Sequence, residues 1–132
     1  MNTEVNIPEV VAEVSAEFDR YEAALVTNEV ETLNGQFWAS PTTLRYGMGE
    51  ILLSHDEIRN FRAARSPVGL MRTRRNTRIT TFGRDFAVAN TEFLRDSAPG
   101  KVGRQSQTWV RMPEGWRIVC AHVSLIDEPT PR

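Results

Sequence analysis

One cysteine, one lysine and two histidines are all this 132-residue chain offers of three residue types from which nucleophilic and metal sites are commonly built. A lone Cys120 excludes a disulfide framework. It sits within an apolar strand pattern with no electropositive helix start beside it, which reads as a buried, inert thiol. No His, Cys, Asp or Glu set stands at metal-ligand spacing and no glycine-rich phosphate loop is present, so neither a metal nor an organic cofactor is expected. No apolar run approaches a bilayer span, and the opening MNTEVNIPEVVAEV carries acids where a signal peptide carries a basic start. The expectation is a cytoplasmic protein without membrane contact. A formal net charge of -1 argues against a general nucleic-acid binder.

What is present is arginine: fifteen of the sixteen basic residues. Arg72, Arg74, Arg75 and Arg78 crowd one strand-like stretch, and Arg45 stands in an earlier one. Arginine's planar fork holds a carboxylate through two parallel hydrogen bonds, so the cluster points to a carboxylate pocket; solvated surface arginines are the alternative. Hydrophobic residues at 40% and charged residues at 25% suffice for one core without staples, so residues 1–132 are read as a single domain. Its core runs over about 8–126, and Pro129 to Arg132 read as a disordered tail.

From Pro8 to about Thr27, Val11, Val14, Phe18, Tyr21 and Leu25 recur at helical spacing, with Glu9, Glu13, Glu17 and Arg20 opposite. A second, short helix is expected over Glu29 to Phe37. Leu44 to Tyr46 and Ile51 to Leu53 read as a hairpin about Gly47 and Gly49. Ser54 and Glu57 form a capping box that opens a third helix with Ile58 and Phe61 inward. Four long strands follow, Met71 to Phe82, Phe86 to Leu94, Val102 to Met112 and Trp116 to Leu125, joined by hairpin turns. The order predicts an α+β domain whose helices cover one face of a curved antiparallel sheet.

That order, with the closing strand Gly115-Trp-Arg-Ile-Val-Cys-Ala-His-Val-Ser124, resembles the cone-shaped cystatin-like fold of SnoaL-like and ketosteroid-isomerase-like proteins. Four segments are more specific: Arg45-Tyr46-Gly47, Phe61-Arg62-Ala63-Ala64-Arg65, Ile79-Thr80-Thr81-Phe82-Gly83, and Gly103-Arg104-Gln105-Ser106-Gln107-Thr108-Trp109. Together they are similar to the HpxZ/AtzH-like family, associated with oxalurate and cyanuric acid catabolism. The resemblance implies a cofactor-independent decarboxylating amidohydrolase for a small anionic ureide, with 1,3-dicarboxyurea converted to allophanate. The other reading it leaves open is an accessory or ligand-binding subunit that partners an amidase. It implies catalytic roles for a tyrosine on the first helix and the arginine before Tyr-Gly, here Tyr21 and Arg45.

From the residues alone, Tyr21 reads equally as a core aromatic, and Arg45 stands on the opposite strand face from Leu44 and Tyr46. If Leu44 faces the core, Arg45 faces away from it. The candidate substrate contacts are Arg72, Tyr46, Trp38 and His122. His122 shares the strand face of Trp116, Ile118, Cys120 and Ser124, where a hydrogen-bonded core histidine is the other reading; His55 reads as surface. Glu92 is either an ion-pair partner of the arginines or a solvent-facing acid. Apolar side chains at Trp109, Val110, Val119, Val123 and Leu125 predict a homodimer through the outer sheet face.

Overall fold

The computed structural model describes residues 3–129, so most of the expected C-terminal tail lies outside the described residues. Helix α1 spans Pro8–Thr27, α2 Val30–Gln36 and α3 His55–Ala64; strands are β1 Leu44–Tyr46, β2 Ile51–Leu52, β3 Thr73–Phe82, β4 Phe86–Leu94, β5 Lys101–Met112 and β6 Gly115–Asp127. No helix is long and apolar enough to cross a membrane.

Proline at the first turn opens α1, where its missing N–H costs nothing. The helix ends at Asn28, whose left-handed backbone (φ 51°) returns its N–H to the last turn. The buried stripe of α1 is Val10, Val14, Phe18, Tyr21, Glu22, Ala24 and Leu25, so a carboxylate rides with the apolar residues. Ser54 caps α3, accepting from Glu57 N at 3.1 Å, while the Glu57 carboxylate accepts from Leu53 N at 3.2 Å. Both Ile58 and Arg62 of α3 are buried.

The sheet has six strands in the order β2-β1-β6-β5-β4-β3. The short hairpin expected between helices is therefore an integral edge: β1 runs parallel to β6, pairing Leu44 with Cys120 and Tyr46 with His122. The remaining pairings are antiparallel. Register shifts between Arg75 and Arg78 and between Thr108 and Trp109 bend the sheet around the helices.

The second shift changes which residues face inward. Trp109 pairs with Ile118 but Thr108 with Cys120, so one β6 residue is extra, and Ala121 and Val123 join Trp116 and Ile118 on the inner face. His122 is consequently exposed on the outer face, not aligned with Trp116 and Ile118 as strict alternation predicts. Cys120 is half-buried on that outer face as well, so its thiol is not a core residue. Trp109 is fully buried and Val123 nearly so; neither belongs to an outer apolar surface. The core joins α1 and α2 to Ala87, Ala89, Trp109 and Ile118 of the sheet. At Gly103 a Cβ would stand 2.1 Å from the Phe93 ring, so the missing side chain lets that ring lie across β5.

Candidate functional site

Tyr21 lies on the sheet-facing stripe of α1 and is 1% exposed. Its phenolic oxygen accepts a 2.9 Å hydrogen bond from Arg62 Nη2, and its ring meets Phe37 edge-on at 6.3 Å. Arg62 is 0% exposed, and its Nε and Nη1 have no hydrogen-bond partner among the described residues. A guanidinium held this way is costly, and a buried polar group left without partners calls for a reason.

Arg45 reaches the same cluster because Leu44 and Tyr46 face outward, which removes the sidedness difficulty: Arg45 is buried and Tyr46 is 40% exposed. Its Nη1 donates to Glu50 Oε1 at 2.7 Å, and its guanidinium lies 5.6 Å from the Phe61 ring centroid. Gly47 makes room for that ion pair, since a Cβ there would fall 1.6 Å from Glu50 Oε1. Arg72, immediately before β3, forks onto Glu22, with Nε donating to Oε2 at 3.0 Å and Nη2 to Oε1. Arg72 Nη2 also donates to Gln105 Oε1 at 3.0 Å, and its guanidinium covers the Phe93 ring at 4.2 Å.

Two further arginines complete the group. Arg65, which caps the end of α3, lies 5.5 Å from the Phe61 centroid, and Arg95, one residue beyond β4, lies 5.2 Å from that of Phe93. Each is half-buried. Asn28 fixes two of these positions, its Nδ2 donating to the carbonyls of Arg62 (3.0 Å) and Arg65 (2.7 Å).

The electrostatic result follows from the counting of charges. Five guanidiniums share the cluster with two carboxylates, Glu22 and Glu50. Burial is the largest influence on Tyr21 and opposes its ionisation, but Arg62, Arg45 and Arg72 outweigh it despite Glu22 and hold the phenol below its ordinary pKa. Burial, reinforced by repulsion from Arg45 and Arg65, lowers the Arg62 pKa, and the Tyr21 charge opposes that shift. Chemically, the cluster can bind a small anion and exchange a proton through a phenol whose anion it stabilises.

Of the sequence candidates, the structure gathers Tyr21, Arg45 and Arg72. Tyr46 and His122 instead meet each other edge-on at 5.7 Å on the outer face, beside a 270 Å³ hollow lined by Leu44, Ser106, Thr108, Cys120 and Ala121. As contacts to a ligand held beside Tyr21 they are withdrawn. Trp38 is half-buried at the crossing from α2 to β1, where its backbone N–H donates to Ile118 O and its backbone carbonyl accepts from the Thr43 hydroxyl. It docks that crossing segment, and the aromatic beside Tyr21 is Phe37. Arg75 bonds Glu92 and Glu128 on the outer side, which makes Glu92 an ion-pair partner and removes it from the interior. His55 is half-buried, its Nε2 2.8 Å from Asn34 O, so it bridges α3 to α2.

Arg62, Arg65, Arg95 and Glu22 carried no role in the sequence reading. Helical spacing held the signal for two of them: Arg62 is four residues beyond Ile58, and Glu22 four beyond Phe18. A surface depression of about 650 Å³ between α1 and β3 is lined by Val11, Ser15, Phe18, Asp19, Arg74, Thr77 and Ile79 and contains none of the cluster.

A model of the AtzH-like family matches residues 3–129. The chain belongs to that family. A Pectobacterium atrosepticum protein of unknown function from the DUF3225 family is 57% identical, over 93% of this chain and 95% of that one, with a TM-score of 0.90. A cystatin-like fold protein from Burkholderia xenovorans is 48% identical over 97% of this chain and all of that one, with a TM-score of 0.92. A Salmonella enterica protein of the NTF2-like superfamily, 23% identical over 94% of each chain at a TM-score of 0.69, shares the fold. No curated protein matches. Family and fold thus agree with the α+β order read from the sequence and with the cystatin-like fold that the resemblance implied.

Proposed function

We propose that this AtzH-like protein is a cofactor-independent enzyme that removes one carboxyl group from a small ureide carboxylate, converting 1,3-dicarboxyurea to allophanate. The observation that carries this reading is the buried Tyr21–Arg62 hydrogen bond inside a group of arginines that outnumber their carboxylate partners. Such a site favours an anionic ligand and supplies a proton donor whose conjugate base is stabilised.

The chemistry needs little else. The bond from urea nitrogen to carboxylate carbon breaks, its electron pair goes to nitrogen, carbon dioxide leaves, and nitrogen takes the Tyr21 proton. Tyr21 is left as a phenolate beside Arg62, then recovers a proton from water. A cation clamped on the departing carboxylate stabilises the ground state more than the transition state. Arg45 therefore serves the urea oxygen, where negative charge grows, more effectively than the departing group. In a hydrolytic variant, water adds to the carboxyl carbon and bicarbonate leaves, with the same proton delivered to nitrogen.

The geometry disfavours isomerase chemistry, which wants an uncommitted carboxylate base in the pocket: Glu22 is held by Arg72, Glu50 by Arg45, and Glu92 lies outside. Among the described residues no three His, Cys, Asp or Glu side chains gather as metal ligands would. Activity is expected to survive a chelator.

The test is turnover of freshly prepared 1,3-dicarboxyurea by pure protein, measured against spontaneous decay and alongside oxalurate. Acceleration of the first supports the enzyme. Binding of either without acceleration would instead support a non-catalytic subunit that partners an amidase.

A further inference from the structure

The cluster is built as two matched pairs. The Phe61 ring carries Arg45 and Arg65, and the Phe93 ring carries Arg72 and Arg95, all within 5.6 Å of a centroid. In each pair one arginine is neutralised, Arg45 by Glu50 and Arg72 by Glu22. The other, Arg65 or Arg95, has no carboxylate partner among the described residues, and Arg95 Nε is buried without a hydrogen bond.

Depth separates these free cations from Arg62. Arg62 lies sealed against Tyr21, whereas Arg65 and Arg95 are half-buried at the ends of α3 and β4. The segments that follow them are tied together, Ser97 Oγ donating to Gly69 O at 2.9 Å, so the two arginines are presented from linked segments. Burial, then repulsion from Arg45 and Arg95, lowers the Arg65 guanidinium's pKa, with Glu50 and Tyr21 opposing. Two guanidiniums with no carboxylate in ion-pair contact among the described residues, presented from linked segments and with a second donor set deeper in, suit a ligand with negative charge at both ends.

We infer that Arg65 and Arg95 form a second anion subsite, distinct from the Tyr21–Arg62 centre, which grips the carboxylate the substrate keeps while the other end reacts. This deepens the proposed function and rests on it for the identity of the substrate. The two arginines are then specificity determinants: they distinguish a dianion from a monoanion of the same shape. Neutralising either should weaken binding of the dianion without changing proton transfer at Tyr21.

Glutarate and glutaramate test this without turnover, because they are nearly isosteric and differ by one charge. Calorimetry on the wild-type protein should show glutarate binding about tenfold or more tightly than glutaramate, the scale of a charge-assisted hydrogen bond. In Arg65→Gln and Arg95→Gln most of that preference should vanish, while glutaramate affinity changes by less than about twofold. Arg59→Gln, which alters an exposed arginine paired with Asp56 on α3, should keep the preference and controls for loss of surface charge. Melting curves exclude unfolded variants, and Arg65→Lys and Arg95→Lys should restore part of the preference. Equal wild-type affinity for both ligands, binding of neither, or a preference that survives both glutamine variants would overturn the subsite. A non-catalytic binding protein would still show the preference; an active decarboxylase without it would refute the subsite alone.

Discussion

Arg62 donates to the phenolic oxygen of Tyr21 at 2.9 Å with both side chains buried, so a cation from α3 and a phenol from α1 form one interior hydrogen-bonded pair. The arrangement runs against stability. Two nitrogens of the Arg62 guanidinium lack partners among the described residues, and a buried charge with incomplete hydrogen bonding costs more than it returns to the fold.

Arg62→Met should therefore leave the melting temperature unchanged or higher while turnover falls by about 10²-fold, the usual scale for impaired general acid catalysis. Thermal melts and steady-state kinetics on this variant check both halves. Retained turnover together with a lower melting temperature would assign Arg62 to the core.

The sign of the Tyr21 shift sets two pH dependences. As a proton donor Tyr21 acts while protonated, so kcat should fall as pH rises through a pKa below the ordinary tyrosine value of about 10. Stability moves the other way. The folded chain releases this proton at lower pH than the unfolded chain, so the contribution is fully present above the unfolded value and lost as pH falls through the folded one. The excess in melting temperature of wild type over Tyr21→Phe should accordingly grow with pH across that window. Ultraviolet titration of the phenolate locates it directly, and a Tyr21 that titrates above an ordinary tyrosine would contradict the assignment.

Gly47 and Arg45 give a third expectation. A methyl group at position 47 would overlap the Glu50 carboxylate and stand 2.9 Å from Arg45 Nη1, so Gly47→Ala must displace the Arg45–Glu50 pair. Loss of catalytic efficiency by about tenfold is expected, with Arg45→Lys producing a similar or larger loss in both KM and kcat because the charge stays but the fork is gone. Full activity in both variants would show that the orientation of Arg45 is immaterial.

How far the sequence exposed this site depended on which period governed each residue. The 3.6-residue spacing of α1 placed Tyr21 and Leu25 correctly inward, and Ser54 with Glu57 marked the start of α3. Strand alternation did less well. Nothing in the residues of β6 announces the extra residue opposite Thr108 and Trp109, and that single irregularity turns His122 outward and Val123 into the core. Arg45 was legible as a candidate, but its direction depends on the parallel pairing of β1 with β6, a contact between segments more than seventy residues apart. Arg62 was overlooked because a charged side chain on a buried helical face is ordinarily unfavourable; that is also why such a residue marks a site.

The outer sheet face is where we propose self-association. With Trp109 and Val123 assigned to the core, the surface that remains centres on Leu44, Tyr46, Val110, Val119 and Cys120, with exposed Phe82 and Phe86 at its margin. Sedimentation equilibrium should show a dimer at micromolar concentration, and Tyr46→Asp should shift it toward monomer. A monomeric wild-type protein under the same conditions would remove the proposal.

The proposed decarboxylation stands on the proton of Tyr21. Turnover of freshly prepared 1,3-dicarboxyurea, corrected for spontaneous decay, should be about 10²-fold or more slower in Tyr21→Phe than in wild type, with KM little changed because the ring still packs. A Tyr21→Phe protein that decarboxylates 1,3-dicarboxyurea at the wild-type rate would contradict it.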